Sequence, residues 1–171
     1  MTALKKISPR QWEENIVRLI GQDWMLVTAG VPDSFNTMTA SWGGIGHLWN
    51  RPVAFVFVRP ERYTYELMER EQVFTLSFFD PRYRSALTLL GTLSGRHTDK
   101  VAQSGLTPVP AENGGVTFAQ ARIVLECRKL YVSDLKEEGF LDRALLPRFY
   151  DAAHGGLHRV YVAEITDVYV E

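Results

Sequence analysis

Residues 36–42 read Asn-Thr-Met-Thr-Ala-Ser-Trp, and this segment alternates in a way that is typical of a β-strand. Successive strand side chains point to opposite faces. One face carries Asn36, Met38, Ala40 and Trp42, and the other carries Thr37, Thr39 and Ser41. A face of small hydroxylated residues leaves room for a ligand beside the backbone. A solvent-facing strand explains the pattern as well, because Thr favours strands in general.

Short apolar segments on both sides of residues 36–42 predict a mainly β, antiparallel barrel rather than a doubly wound sheet. We expect strands at residues 24–29, 53–58, 73–79, 121–132, 158–164 and 167–170. We expect helices from Ser8 to Ile20 and over residues 60–70 and 81–90. Residues 43–52 (GGIGHLWNRP) read as a long turn, and residues 106–115 as an exposed loop.

Composition narrows the class of protein. The chain has 171 residues, 46% of them hydrophobic, with a formal net charge of −1. This length suits a single domain over residues 1–171, and the charge balance gives no general attraction to nucleic acid or to an anionic membrane. The N-terminal residues are charged before any apolar run, which favours a cytoplasmic protein without a signal peptide. The single Cys127 excludes an intrachain disulfide.

Common catalytic motifs are missing from the sequence. It has no P-loop, no G-x-G-x-x-G, no G-x-S-x-G and no H-E-x-x-H. His154 and His158 have the spacing of metal ligands on a helix, but Gly155 and Gly156 between them argue against a helix. We therefore expect neither a metal site nor a side-chain catalytic group.

Two polar clusters accompany the segment 36–42. The first, residues 59–64 (RPERYT), follows the apolar strand and brings two guanidinium groups to a helix start, an arrangement that suits phosphate. An exposed helix start explains it too. Within this cluster we favour Arg59 over Arg62, because Arg62 is expected to point to solvent. The second, residues 94–100 (SGRHTDK), combines a flexible glycine with cations.

Together, NTMTASWGG, RPERYT and SGRHTDK resemble the flavin reductase-like, FMN-binding split β-barrel family, including its flavoredoxin-like members. The resemblance implies a six-stranded antiparallel Greek-key split barrel with flanking helices, and a homodimer that binds FMN near the interface. It implies that residues 36–42 line the flavin ring through backbone amides and the hydroxyls of Thr39 and Ser41. The remaining cofactor-binding positions that it implies are Arg59, Tyr63, Thr64, Ser94, Gly95 and Lys100.

Two functions from different classes follow. The first is an NAD(P)H-dependent flavin reductase, in which bound FMN takes a hydride from NADH or NADPH and passes electrons to an acceptor, either a small molecule or a redox protein partner. The second is a non-enzymatic electron carrier that holds FMN without a nicotinamide pocket. Because the flavin carries the chemistry, neither requires a catalytic triad.

Overall fold

The computed structural model describes residues 4–171 of the chain. Its strands over those residues are β1 (Lys5–Ile7), β2 (Met25–Val31), β3 (Ser34–Ala40), β4 (Gly43–Leu48), β5 (Arg51–Val58), β6 (Val73–Phe78), β7 (Pro108–Pro110), β8 (Val116–Phe118), β9 (Ile123–Asp134) and β10 (Arg159–Val170). Its α-helices are α1 (Ile16–Arg18), α2 (Tyr63–Arg70), α3 (Arg84–Thr92), α4 (Lys100–Ser104) and α5 (Leu145–Phe149).

The main sheet is antiparallel at every pairing of the described residues. Its strand order is β3-β2-β6-β9-β10-β5-β4, and β1 pairs with β10, while β7 and β8 form a separate pair. The mainly β prediction with flanking helices is therefore confirmed, but the predicted number of six strands is wrong, because the sheet has eight strands over residues 4–171.

The two ends of the strand order lie close together although no ladder joins them. β3 ends at Ala40 and β4 begins at Gly43, so only Ser41 and Trp42 separate the first strand of the order from the last. Three Cα–Cα steps of about 3.8 Å span this gap, so the sheet must curl until its ends approach. Within residues 4–171 the curl does not close into a hydrogen-bonded barrel.

The curled sheet is buried on both faces near its middle. Along β2, Met25, Val27 and Ala29 belong to the core cluster that also includes Met68 of α2. Leu26 belongs to a second cluster that α3 covers with Leu87 and other residues. β3 contacts both helices. Each face of β3 is therefore fixed against a different helix, and this arrangement positions the strand end.

Residues 43–52 are a β-hairpin, which corrects the predicted long turn. β4 pairs with β5 in register from Gly43 opposite Val56 to Leu48 opposite Arg51. Trp49 and Asn50 form the tip with φ of 51° and 57°. Two such left-handed residues match the twist of hairpin strands. The strand β4 was not predicted because it contains three glycines, and glycine is unfavourable in strand interiors.

Several predicted boundaries also change. The predicted first helix is broken, because the Ser8 side chain caps only a 3-10 turn (Pro9–Gln11) and Asn15 caps the separate α1. β10 is one strand, with a register shift between Ile165 and Asp167 where we predicted a break. Over residues 4–171, each helix is too short or too polar to cross a bilayer.

Candidate functional site

A cleft opens where β3 ends, beside the end of β5 and the residue before β10. Its volume is about 230 Å³, and its lining includes residues 38–42, Phe57, Arg59, Arg62 and His158. A second cavity of about 170 Å³ adjoins it and is lined by Asn36, Arg62, Tyr63, Ser94, Gly95 and Lys100 among others. Arg62 lines both cavities, so the three sequence clusters meet at one site.

The side chains of β3 make more internal contacts than the sequence predicts. Thr37 is buried, and its hydroxyl lies 2.8 Å from that of Thr28. Thr39 donates a hydrogen bond to the carbonyl of Leu87 in α3. Met38 is packed in the core. These side chains therefore fix the strand, and a ligand in the cleft would meet chiefly its backbone and its last residues.

The last residues of the segment are more accessible. Ala40 and Ser41 are half-buried at the cleft, and Trp42 is 43% exposed. Within residues 4–171, β3 has a partner strand on one side only. A strand at the end of a sheet keeps unpaired N–H and C=O groups along its outer edge. These groups can recognise the polar edge of a flat ring.

Uncompensated positive charge marks the junction of the two cavities. Nη2 of Arg62 is inaccessible to solvent and has no hydrogen-bond partner within residues 4–171. Lys100 is 2% exposed, and its Nζ donates to the carbonyls of Leu90 (2.9 Å) and Leu93 (3.1 Å). In the described part of the chain neither cation forms a salt bridge.

The protonation of Lys100 reflects this environment. Burial, assisted by the nearby charge of Arg62, lowers the pKa of Lys100 to about 8. Burial and the charge of Arg59 lower the pKa of Arg62 as well. Both groups are charged at pH 7, and an anion between them would offset the cost of burying that charge.

Arg59, which the resemblance assigns to the phosphate end of FMN, lines the cleft but is also bonded to backbone carbonyls of the chain. It donates from Nη1 to the carbonyl of Gly156 (3.0 Å) and from Nη2 to that of Phe149 (2.8 Å). Its guanidinium lies 5.0 Å from the ring centre of Tyr150. The assumption behind our preference for Arg59 is wrong, because Arg62 turns inward to the cavities instead of outward to solvent.

Asn36, Thr64 and Gly95 form a tightly packed corner. The side chain of Asn36 donates to the Thr64 hydroxyl at 2.8 Å, and both residues are buried. A Cβ added at Gly95 would lie 2.1 Å from Oδ1 of Asn36, so only glycine fits there. The guanidinium of Arg96 lies over the ring of Tyr63, 5.3 Å from the ring centre. The hydroxyl of Ser94 accepts a hydrogen bond from the backbone amide of Arg96.

The sequence analysis included Trp42 among the binding residues but missed its aromatic neighbours. Trp42 packs edge-on against Phe149 with ring centres 5.3 Å apart, and the ring of His158 lies 5.4 Å from it. Nδ1 of His158 is 2.9 Å from the Tyr150 hydroxyl. Burial and the Arg59 charge lower the pKa of His158 to about 4, so its ring is neutral at pH 7. His158 directly precedes β10 and Arg59 directly follows β5, and these strand ends pair at Arg159 and Val58, so their proximity depends on a strand pairing that the sequence alone does not show.

These features fit a flat ligand that carries an anionic group. The unpartnered Arg62 and the buried Lys100 provide charge for a phosphate, and Gly95 lines the same cavity. The strand edge and aromatic side chains suit a ring with polar edges. The site therefore agrees with the FMN that the sequence resemblance implies.

Comparisons with known proteins point the same way. A family model described as the flavin reductase like domain matches residues 17–171. No curated protein matches the chain. Flavoredoxin of Desulfovibrio vulgaris (Miyazaki F) is 24% identical with a TM-score of 0.67, over 96% of this chain and 77% of that one.

Two other solved structures have similar folds. The FMN-binding protein from Thermus thermophilus with bound 1-cyclohex-2-enone is 20% identical (TM-score 0.67; 96% of this chain, 81% of that one). The NADH:FAD oxidoreductase of Streptomyces globisporus C-1027 is 17% identical (TM-score 0.63; 85% of this chain, 74% of that one). The shared fold and the match over most of the chain show that this protein belongs to the flavin reductase-like domain family.

Proposed function

We propose that the chain binds FMN in the cleft and acts as an NAD(P)H-dependent flavin reductase. One observation carries the proposal: two cations without a carboxylate partner within residues 4–171, Arg62 and Lys100, line the cavity of about 170 Å³ that adjoins the cleft. Buried charges in proteins are normally paired, so an unpaired couple indicates an anionic ligand.

Arg62 and Lys100 would hold the phosphate of FMN. The guanidinium presents a planar set of donors that suits phosphate, while the ammonium acts as a point charge. A bound dianion would raise the pKa of Lys100 from about 8 and keep its proton in place. Arg59 is a weaker candidate for this contact, because two of its donors already bond to backbone carbonyls.

The end of β3 would orient the flavin ring. Backbone groups from Thr39 to Trp42 would bond to the polar edge of the flavin ring. The side chains of Trp42 and His158 would restrict access to the cleft to flat molecules. When bound, FMN supplies two-electron chemistry, with hydride taken from NADH or NADPH and passed on to an acceptor. His158 has a pKa of about 4, so it is neutral near pH 7 and adds no charge beside the ring.

A second candidate is an electron carrier that binds FMN but has no nicotinamide site. The similarity in fold to flavoredoxin supports this electron-carrier candidate. Both candidates use the same phosphate and ring contacts, so flavin binding alone does not separate them.

We also propose a homodimer. Trp49 at the hairpin tip is 55% exposed, and Tyr131, 51% exposed, lies 6.3 Å from it between ring centres. Exposed aromatic pairs of this kind are enriched at protein interfaces.

An anaerobic titration tests the enzymatic function. FMN-loaded protein is mixed with NADH or with NADPH while absorbance at the flavin band is recorded. Bleaching at one equivalent of nicotinamide supports the reductase. Retained absorbance with both nucleotides, together with bleaching by dithionite, would contradict the reductase and favour the electron carrier.

A further inference from the structure

Three hydrogen bonds connect the residues after β5 to the segment 149–156, which begins at the last residue of α5. Two are the bonds from Arg59 to the carbonyls of Phe149 (2.8 Å) and Gly156 (3.0 Å). In the third, Oε1 of Glu61 accepts from the backbone amide of Gly156 at 2.7 Å. All three use backbone groups of the segment, so they fix its path whatever side chains it carries.

This segment contacts two rings that line the cleft. Phe149 meets Trp42 edge-on at 5.3 Å between ring centres. Tyr150 packs against His158 at 5.5 Å between ring centres, and its hydroxyl is 2.9 Å from Nδ1 of that histidine. Trp42 and His158 both line the cleft. A shift of the segment would therefore move both of these rings.

The two arginines of the cluster 59–64 make different contacts. Two donors of Arg59 are engaged by carbonyls of the segment, and its guanidinium lies over Tyr150. Nη2 of Arg62 is buried without a partner within residues 4–171. Nη2 of Arg62 is thus available to an anion, whereas two of the five N–H donors of Arg59 are already engaged by the segment.

We propose that Arg59 and Glu61 are positioning residues that hold the segment 149–156, so that Phe149 and Tyr150 keep Trp42 and His158 in place in the cleft lining, which receives a flat aromatic co-substrate. This inference rests on the proposed function in taking that co-substrate to be the nicotinamide ring. Neither residue binds the flavin phosphate in this account. Their loss should weaken recognition of the co-substrate and leave flavin affinity intact.

Steady-state kinetics on FMN-loaded protein test the inference with Arg59→Lys and Glu61→Ala. We expect KM for the nicotinamide nucleotide to rise about tenfold, kcat to change little and the Kd for FMN to stay within about twofold. Glu61→Gln keeps an acceptor for the Gly156 amide and should restore the wild-type KM. Arg62→Lys, the matched control, should instead raise the Kd for FMN. A raised Kd for FMN in Arg59→Lys with an unchanged KM would overturn the assignment.

Amide hydrogen exchange on the apoprotein gives a readout that does not depend on activity. In both Arg59→Lys and Glu61→Ala, exchange of the segment 149–156 should accelerate at least about tenfold, while Arg62→Lys and Glu61→Gln leave it unchanged. Equal exchange in all variants would refute the positioning role even if the wild type is an active reductase. If the wild type does not react with nicotinamide, the proposed function fails, and the exchange pattern still decides whether Arg59 and Glu61 hold the segment.

Discussion

Replacing Lys100 by Met tests the role of its charge in the cavity that adjoins the cleft. Lys100 is 2% exposed and its Nζ bonds only to two carbonyls at the end of α3, within residues 4–171. Met fills nearly the same volume but removes the charge. The variant should therefore keep the fold and lose two properties that depend on the ammonium group.

The first property is the pH dependence of stability. The pKa of Lys100 is about 8 in the folded protein, against 10.5 for an ordinary lysine. Between these values the unfolded chain binds more protons than the folded one, so the free energy of unfolding rises with pH. The cost of the buried charge is fully present below pH 8, and about 3 kcal/mol should be regained by pH 10.5. Lys100→Met should lack this rise.

The second property is flavin affinity. A charge-assisted hydrogen bond contributes about 1.5–3 kcal/mol, so the variant should bind FMN about 10- to 150-fold more weakly at pH 7. Wild-type affinity should decline as pH rises above about 8, because Lys100 then loses its proton in the apoprotein. The affinity of the variant should stay level between pH 7 and 9.

Two assays follow both properties. Urea unfolding of the two apoproteins at several pH values gives the difference in the free energy of unfolding, which removes the contribution of all other titrating groups. Fluorescence titration with FMN at pH 7, 8 and 9 gives the affinities. If the wild type and Lys100→Met show parallel curves of unfolding free energy against pH and equal affinities for FMN, Lys100 is not an uncompensated cation that binds the phosphate.

Three further outcomes are expected. Ser41→Leu should give a folded, colourless protein with the melting temperature of the wild-type apoprotein, and retained yellow colour with unchanged melting would remove Ser41 from the flavin site. Gly95→Ala should displace Asn36 and break its 2.8 Å bond to Thr64, lowering the free energy of unfolding by about 1–3 kcal/mol in urea titrations; wild-type stability would contradict the tight corner. Sedimentation should show a dimer that Trp49→Lys weakens, whereas a wild-type mass near 19.5 kDa at micromolar concentration would count against assembly.

Much of the fold could be predicted because local patterns and long-range packing agree. Residues 36–40 of the alternating segment lie in β3, which ends before Ser41 and Trp42, and the apolar run before Arg59 lies in β5. β4 was missed because its glycines carry no strand signal, and its pairing with β5 stabilises it through backbone bonds that propensity does not measure. The order of strands, and hence the approach of β3 to β4, depends on contacts distant in sequence.

The site was predictable in its composition but not in its division of roles. The clusters at residues 36–42, 59–64 and 94–100 do meet at adjoining cavities. Both arginines line the cleft, but the segment 149–156 occupies two donors of Arg59, whereas Nη2 of Arg62 has no partner within residues 4–171. No pattern within residues 59–64 predicts the bonds of Arg59, because their acceptors are backbone carbonyls at least 90 residues away in the sequence.

The most direct test of the central claim compares FMN with riboflavin as ligands of the apoprotein. The two differ only in the phosphate, so their affinities isolate what Arg62 and Lys100 contribute. Fluorescence titration at pH 7 should show FMN bound at least about tenfold more tightly than riboflavin. Equal affinities, or no binding of either flavin, would contradict the assignment of the cleft and its two buried cations to a phosphorylated flavin.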